Sequence, residues 1–171
     1  QILEAAAAAL VAAVLVPVLP LADAQVVLTR RSASLRSHSG QIAFPGGRVD
    51  AEDESPLETA LREAEEEIGL DRRYVTPIGF GDAYLSGTNY LVTPVVALVD
   101  PQAELTLNPL EVDEAFRVPL SFLMDPGNHR LQSLEWKGRL RHFYEIPFEE
   151  RYIWGVTAGI IRNLYERLYA P

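Results

Sequence analysis

The stretch from Gly46 to Leu70, GGRVDAEDESPLETALREAEEEIGL, constrains the chain most: a double-glycine turn runs into a short helix crowded with carboxylates. Ser55 is an N-cap, Pro56 sits at the first helical position where a missing N–H costs nothing, and Glu58 completes a capping box. Leu57, Leu61, Ala64 and Ile68 recur at helical spacing as one apolar stripe, and Gly69 supplies the left-handed stop residue. The pattern predicts a helix over 55–68.

Glu63, Glu66 and Glu67 stand at i, i+3 and i+4, so at about 100° per residue they share one sector beside the apolar stripe. Like charges at that spacing destabilise a helix by about 0.2–0.5 kcal/mol per pair, and only Arg62 is close enough to offset them. Two readings fit the spacing equally. One is a solvated acidic face. The other is a site for a hard divalent cation such as Mg2+ or Mn2+, which prefers carboxylate oxygen.

A length of 171 residues at 48% hydrophobic suits a single domain spanning 1–171. The net charge of -9 disfavours sequence-independent binding to nucleic acid or to an anionic membrane. An anionic substrate therefore needs a local basic patch and a metal. The absence of cysteine excludes disulfides, thiolate metal sites and a cysteine nucleophile. Between Ile2 and Leu21 only Glu4 is charged, a length that could pass for a membrane span. Pro17 and Pro20 interrupt it and no basic residue precedes it, so Gln1 to Leu10 reads as an Ala-rich helix end and Ala12 to Leu19 as a buried strand.

Gln25 to Arg30 reads as a second strand pairing with the first in a hairpin. The following loop carries Arg30, Arg31, Arg36 and His38, the strongest basic concentration in an acidic chain. It is either a solvated loop or a phosphate-binding wall. Val75 to Gly81 and Tyr90 to Val99 form another expected hairpin, with Pro94 marking an edge position or a bulge. Glu111 to Phe116 reads foremost as a helix N-terminus favoured by the macrodipole, and otherwise as a remote carboxylate source through Glu111 or Glu114. Leu134 to Ile146 reads as two strands turning at Gly138, with Trp136, His142 and Tyr144 in core or cross-strand positions. Tyr152 to Tyr169 reads as a helix with Ile153, Val156, Ile160, Leu164 and Leu168 along its core stripe.

R62-E63-A64-E65-E66-E67-I68-G69-L70 resembles the second half of the Nudix box, and Glu54 stands the required seven residues before Arg62. The pattern's glycine falls at Arg48 while Gly47 lies one residue earlier, which implies a one-residue insertion in the loop. Upstream, L28-T29-R30-R31-S32 through R36 and G40 to F44-P45-G46-G47 resembles the extra signature of the coenzyme A pyrophosphatase branch of Nudix hydrolases. I153-W154-G155-V156-T157-A158-G159-I160-I161 also resembles that branch's C-terminal helix.

The resemblance implies an α+β fold, an α/β/α sandwich around a mixed sheet. It also implies a cytoplasmic enzyme that cleaves coenzyme A and its derivatives to 4'-phosphopantetheine and adenosine 3',5'-bisphosphate with Mg2+ or Mn2+. Mapped by position, Glu63 and Glu67 are the principal metal ligands, and Glu66 is a further ligand or the base. The Gly46-Gly47 turn offers a backbone carbonyl to the metal, and Arg62 holds a box glutamate. Glu54 is structural, and the general base is open among Glu66, Glu111 and Glu114. Arg31, Ser32, Arg36, Gly40 and Phe44 form the substrate wall. The rival readings are a Nudix hydrolase of another nucleoside diphosphate derivative, such as ADP-ribose or a dinucleotide, and a non-catalytic Nudix-fold module. The expected partner is a small molecule, with neither nucleic acid nor membrane, and assembly as a homodimer stays open.

Overall fold

The structure, a computed structural model, describes residues 10–171, so the expected Ala-rich helix end falls outside it except for Leu10. In chain order the elements are β1 (Leu10–Leu19), β2 (Gln25–Arg31), β3 (Ile42–Ala43), β4 (Gly46–Arg48), α1 (Pro56–Ile68), β5 (Val75–Phe80), β6 (Tyr84–Leu85) and β7 (Tyr90–Val99). They are followed by β8 (Val112–Pro119), α2 (Leu120–Leu123), β9 (Arg130–Trp136), β10 (Arg139–Phe148), β11 (Arg151–Trp154) and α3 (Gly155–Leu168). No described helix is long and apolar enough to cross a membrane.

β1 organises the main sheet. It is apolar along both faces, as a strand covered on both sides must be. It pairs parallel with β7 from Leu10↔Tyr90 to Val18↔Leu98, antiparallel with β2 at Val18↔Val26, and antiparallel with β4 at Val14↔Gly46. The strand's two-residue period divides the interior into two layers. Ala12 and Val16 join Val26, Leu28 and Val92 in a layer closed by Ile160, Ile161 and Leu164 of α3. Ala13 and Leu15 join Val27, Val95 and Ala97 in a layer closed by Ala60, Ala64 and Ile68 of α1. This is the α/β/α sandwich around a mixed sheet. β9, β10 and β11 form a separate three-stranded sheet in the order β11-β10-β9. Its Ile146 and Ile153 pack into the α3 layer.

α1 starts and stops where its caps dictate. Ser55 Oγ accepts the Glu58 N–H at 3.2 Å, and Gly69 takes φ 63° as it donates back to the helix carbonyls.

Three expectations change. Val112 to Phe116 is the start of a strand rather than a helix N-terminus: β8 pairs with β2 from Gln25↔Pro119 to Arg31↔Val112, and Val112, Phe116 and Val118 are its buried side chains. Pro94 lies on central strand β7, opposite the break between Phe80 of β5 and Tyr84 of β6, where its carbonyl accepts the Gly81 N–H at 2.9 Å and its missing N–H interrupts no ladder pair. Residues 152–154 belong to β11, so α3 begins at Gly155, and Leu168 is exposed beyond its core stripe. Trp136, His142 and Tyr144 take the cross-strand alternative rather than the core: they pair with Arg139, Ser133 and Leu131 on the β9–β10 hairpin, where Arg141 and Lys137 cover the exposed Trp136 ring and Tyr144 is half-buried under Arg162.

α3 can pack close to the sheet because residue 159 is glycine: a Cβ there would lie 2.4 Å from the Tyr84 ring. Gly159→Ala is expected to destabilise the fold by about 1–3 kcal/mol through this overpacking. Combining it with Tyr84→Leu should recover part of the loss in urea titrations, and strict additivity of the two changes would refute the contact.

Candidate active site

Glu63 and Glu67 point from α1 toward β4, and they are joined there by Glu111, a residue distant in sequence. One carboxylate oxygen from each of the three lies within 4.8 Å of the others. Glu111 reaches this place through backbone bonding. The last carbonyls of a helix have no partner within it. Here Glu67 C=O accepts the Asn108 N–H at 2.9 Å and Ile68 C=O accepts the Thr106 N–H at 2.8 Å. The docked loop turns on the Glu111 N–H to Asn108 C=O bond (3.0 Å), and the Ser32 N–H holds Glu111 C=O at 2.9 Å.

Glycines line the opposite wall, and at Gly46 the backbone beside it leaves no room for a side chain. A Cβ on Gly47 would lie 2.8 Å from the Glu63 carboxyl carbon, and one on Gly46 would lie 2.4 Å from Ala13 C=O. Gly46 also turns its N–H toward Glu67 Oε1 at 3.4 Å.

Glu67 is only 5% exposed, and burial pushes its carboxyl up to about 8, with the charge of Glu63 adding to the rise. The Gly46 N–H and the nearby Arg31 charge oppose that rise in part. Burial also raises Glu63, against the bond it accepts from Arg62. Arg62 donates Nε–H to Asp53 Oδ1 (3.1 Å), Nη2–H to Asp53 Oδ2 (2.9 Å), and Nη1–H to Glu63 Oε1 (2.8 Å). This fork holds the Asp53 carboxyl well below the usual carboxylate range.

The remaining residues singled out in the sequence divide as follows. Glu66 is exposed at the rim, 3.6 Å from Arg62 Nη1 and outside the trio. Glu114 is held away from it, paired with Arg151 and with Arg30 Nη2 (3.4 Å). Arg31 is half-buried beside Glu67, with a buried Nε that has no hydrogen-bond partner. Ser32 is buried and its Oγ accepts from the Ser34 N–H at 3.2 Å. Arg36 and Gly40 are exposed, and Gly40 adopts φ 72°. Phe44, expected at the substrate wall, is instead 4% exposed and packs within the α3 layer.

Asp53 is the residue that sequence reasoning missed. The glutamate pattern pointed at Glu54, which is exposed. The available signal was the extra residue at Arg48, which shifts the loop by one position.

Three carboxylates from two backbone segments, one of them buried and resisting ionisation, with glycines on the facing wall, fit a hard divalent cation. Glu63, Glu67 and Glu111 would hold it.

The family model described as the NUDIX domain matches residues 10–137. The uncharacterised Nudix hydrolase NudL of Photorhabdus laumondii is 41% identical over 157 residues, covering 92% of this chain and 84% of its own length. NudL of Escherichia coli K12 is 39% identical over 153 residues, covering 90% and 80%. Among solved structures, the Nudix hydrolase RenU of M. smegmatis superposes with a TM-score of 0.56 at 26% identity, over 64% of this chain and 70% of its own. The chain belongs to the Nudix family. Nudix hydrolases act on small molecules and generally use divalent metals such as Mg2+.

The raised Glu67 carboxyl has a consequence for stability. Folding favours its protonated form, so that contribution is complete below 4.5 and is lost as pH rises through about 8. Without divalent ions, the melting temperature should therefore fall over this window. Saturating Mg2+ should remove most of the fall, and so should Glu67→Gln. An unchanged slope in that variant would refute the assignment.

Proposed function

We propose that this protein hydrolyses the diphosphate bond of coenzyme A and its derivatives, releasing 4'-phosphopantetheine and adenosine 3',5'-bisphosphate. The observation that carries the reading is the Glu63, Glu67 and Glu111 trio with Arg31 beside it, reached directly from the coenzyme A-type stretch Leu28 to Gly47. A diphosphate is an anion that an acidic site would repel. A bound Mg2+ or Mn2+ would neutralise that charge and make water a stronger nucleophile.

The chain's own residues supply the rest. Glu63, Glu67 and Glu111 hold the cation, and the carbonyl of the Gly46-Gly47 turn stands by as a further ligand. Arg62 fixes Glu63. Arg31, half-buried with a buried N–H to donate, meets the diphosphate, while exposed Arg36 reaches the 3'-phosphate. Ser32 and Gly40 shape the loop that carries both arginines: Ser32 anchors it to Glu111, and the Gly40 N–H closes it on Arg31 C=O at 3.0 Å. Water adds its oxygen to one phosphorus, the bridging oxygen leaves on the other, and a carboxylate accepts the water's proton. With Glu111 on the cation, that acceptor is Glu66; Glu114, neutralised by two arginines, is unsuited to it.

The test is incubation with coenzyme A, NADH and ADP-ribose in Mg2+, with products identified by mass. Coenzyme A should be cleaved to the two stated products in preference to the others. Cleavage of ADP-ribose or NADH with coenzyme A left intact would overturn the reading. Arg36→Ala should lower kcat/KM for coenzyme A by about tenfold, a lost charge-assisted contact of about 1.4 kcal/mol, while sparing dephospho-coenzyme A. Arg31→Ala should impair both substrates alike. Equal losses on both substrates in Arg36→Ala would refute its role.

A further inference from the structure

We propose that Asp53, rather than the pattern residue Glu54, is the positioning residue that keeps Glu63 available to a divalent cation. The inference rests on the metal reading of the trio and adds to it a residue outside that trio.

The geometry runs through one guanidinium. Arg62 turns its Nε and Nη2 edge onto both oxygens of Asp53, at 3.1 and 2.9 Å. Its Nη2 also donates to Arg48 C=O at 3.2 Å. That leaves Nη1 for Glu63, and it contacts Oε1 at 2.8 Å. An arginine free of Asp53 would instead present a two-pronged edge to Glu63, the arrangement carboxylates bind most strongly. It would then compete with a cation for both oxygens. Asp53 thus limits how much of Glu63 the arginine takes.

Asp53 is itself firmly placed. Its Oδ2 accepts the Asp50 N–H at 2.8 Å and the Thr59 hydroxyl at 2.8 Å, and its own N–H bonds to Asp50 C=O at 3.0 Å. Thr59 is fully buried on α1, so the aspartate is tied to the helix that carries Glu63. The Asp53 side chain is 7% exposed, against 28% for Arg62 and 16% for Glu63. Glu54 points to solvent outside this network. The extra loop residue accounts for the exchange, because it moves the position facing Arg62 back by one residue, where the shorter aspartate suffices.

The test measures Mn2+ binding to the full chain by the electron paramagnetic resonance signal of free Mn2+, without substrate. Asp53→Asn should weaken Mn2+ about 10- to 100-fold, the range for residues that orient metal ligands. Glu54→Gln should stay within about twofold of wild type. A purely structural role for Asp53 would lower the melting temperature and leave Mn2+ affinity of the folded protein unchanged, and that result would overturn the proposal. So would a Glu54→Gln loss as large as that of Asp53→Asn, or a wild type that binds no Mn2+. Should Asp53→Asn fail to fold, Asp53→Glu, which keeps the charge but displaces it by one methylene, should still weaken Mn2+ more than Glu54→Gln does; equal affinities would overturn the assignment. Since no substrate is present, failure of the coenzyme A reading would appear only in the product assay.

Discussion

Mutual repulsion among Glu63, Glu67 and Glu111 is the constraint around which the rest of the structure is arranged. Two unit charges less than 5 Å apart would repel by about 3–4 kcal/mol at an effective dielectric of about 20, and together with burial this keeps the Glu67 carboxyl protonated up to about 8. The protein holds three carboxylate oxygens within 4.8 Å of one another and buries one of the residues as well. Such an arrangement persists only because strong packing elsewhere enforces it. The α1 layer supplies that packing, since Ala60, Ala64 and Ile68 lock the helix against β1 and β7. The face that carries Glu63 and Glu67 has no freedom to turn away. Under the proposed function, a cation joining the trio would turn this crowding of carboxylates into affinity for metal.

The same helix recruits the third carboxylate. Its terminal carbonyls dock the loop ahead of β8, and Ser32 at the end of the basic strand fastens Glu111 from the other side. One backbone bond therefore links the carboxylate trio to the strand end and loop that carry Arg31 and Arg36. A change that loosens Ser32 would disturb the acidic and the basic halves of the site together. Geometry thus couples the segment proposed to choose the substrate to the segment proposed to hold the metal.

What the sequence made legible follows the range of the interactions involved. The α1 boundaries are written in Ser55, Pro56 and Gly69, all within a few residues of the ends they cap. The layers of β1 and β7 follow from their near-continuous apolar runs. Glu111 and Glu114 could not be separated by inspection, because their fates depend on partners far along the chain: the α1 carbonyls and Ser32 for one, Arg151 and Arg30 for the other. Acidic residues ahead of an apolar run suit a helix start, yet VDEAFRVP also suits a strand whose exposed positions are charged, and pairing with β2 decided between them. Phe44 was misplaced for a related reason. It lies between two loop segments in sequence, but the Thr157 hydroxyl reaches Ile42 C=O at 3.0 Å, bringing α3 against this segment and Phe44 into its layer.

The distribution of arginines completes the argument. In a chain of net charge -9, a phosphate must find cations that the protein has not already neutralised. Arg30 and Arg151 are both committed to Glu114, and Arg62 to Asp53 and Glu63. Arg31 differs from these, since it sits beside Glu67 while its buried Nε has no hydrogen-bond partner. A buried donor without an acceptor costs about 1–3 kcal/mol. A phosphate oxygen arriving there would recover that energy as well as its own charge-assisted bond. The acidic trio and the unsatisfied arginine are therefore two strains of opposite sign in one place, which is why the proposed function brings a cation and a phosphate there together.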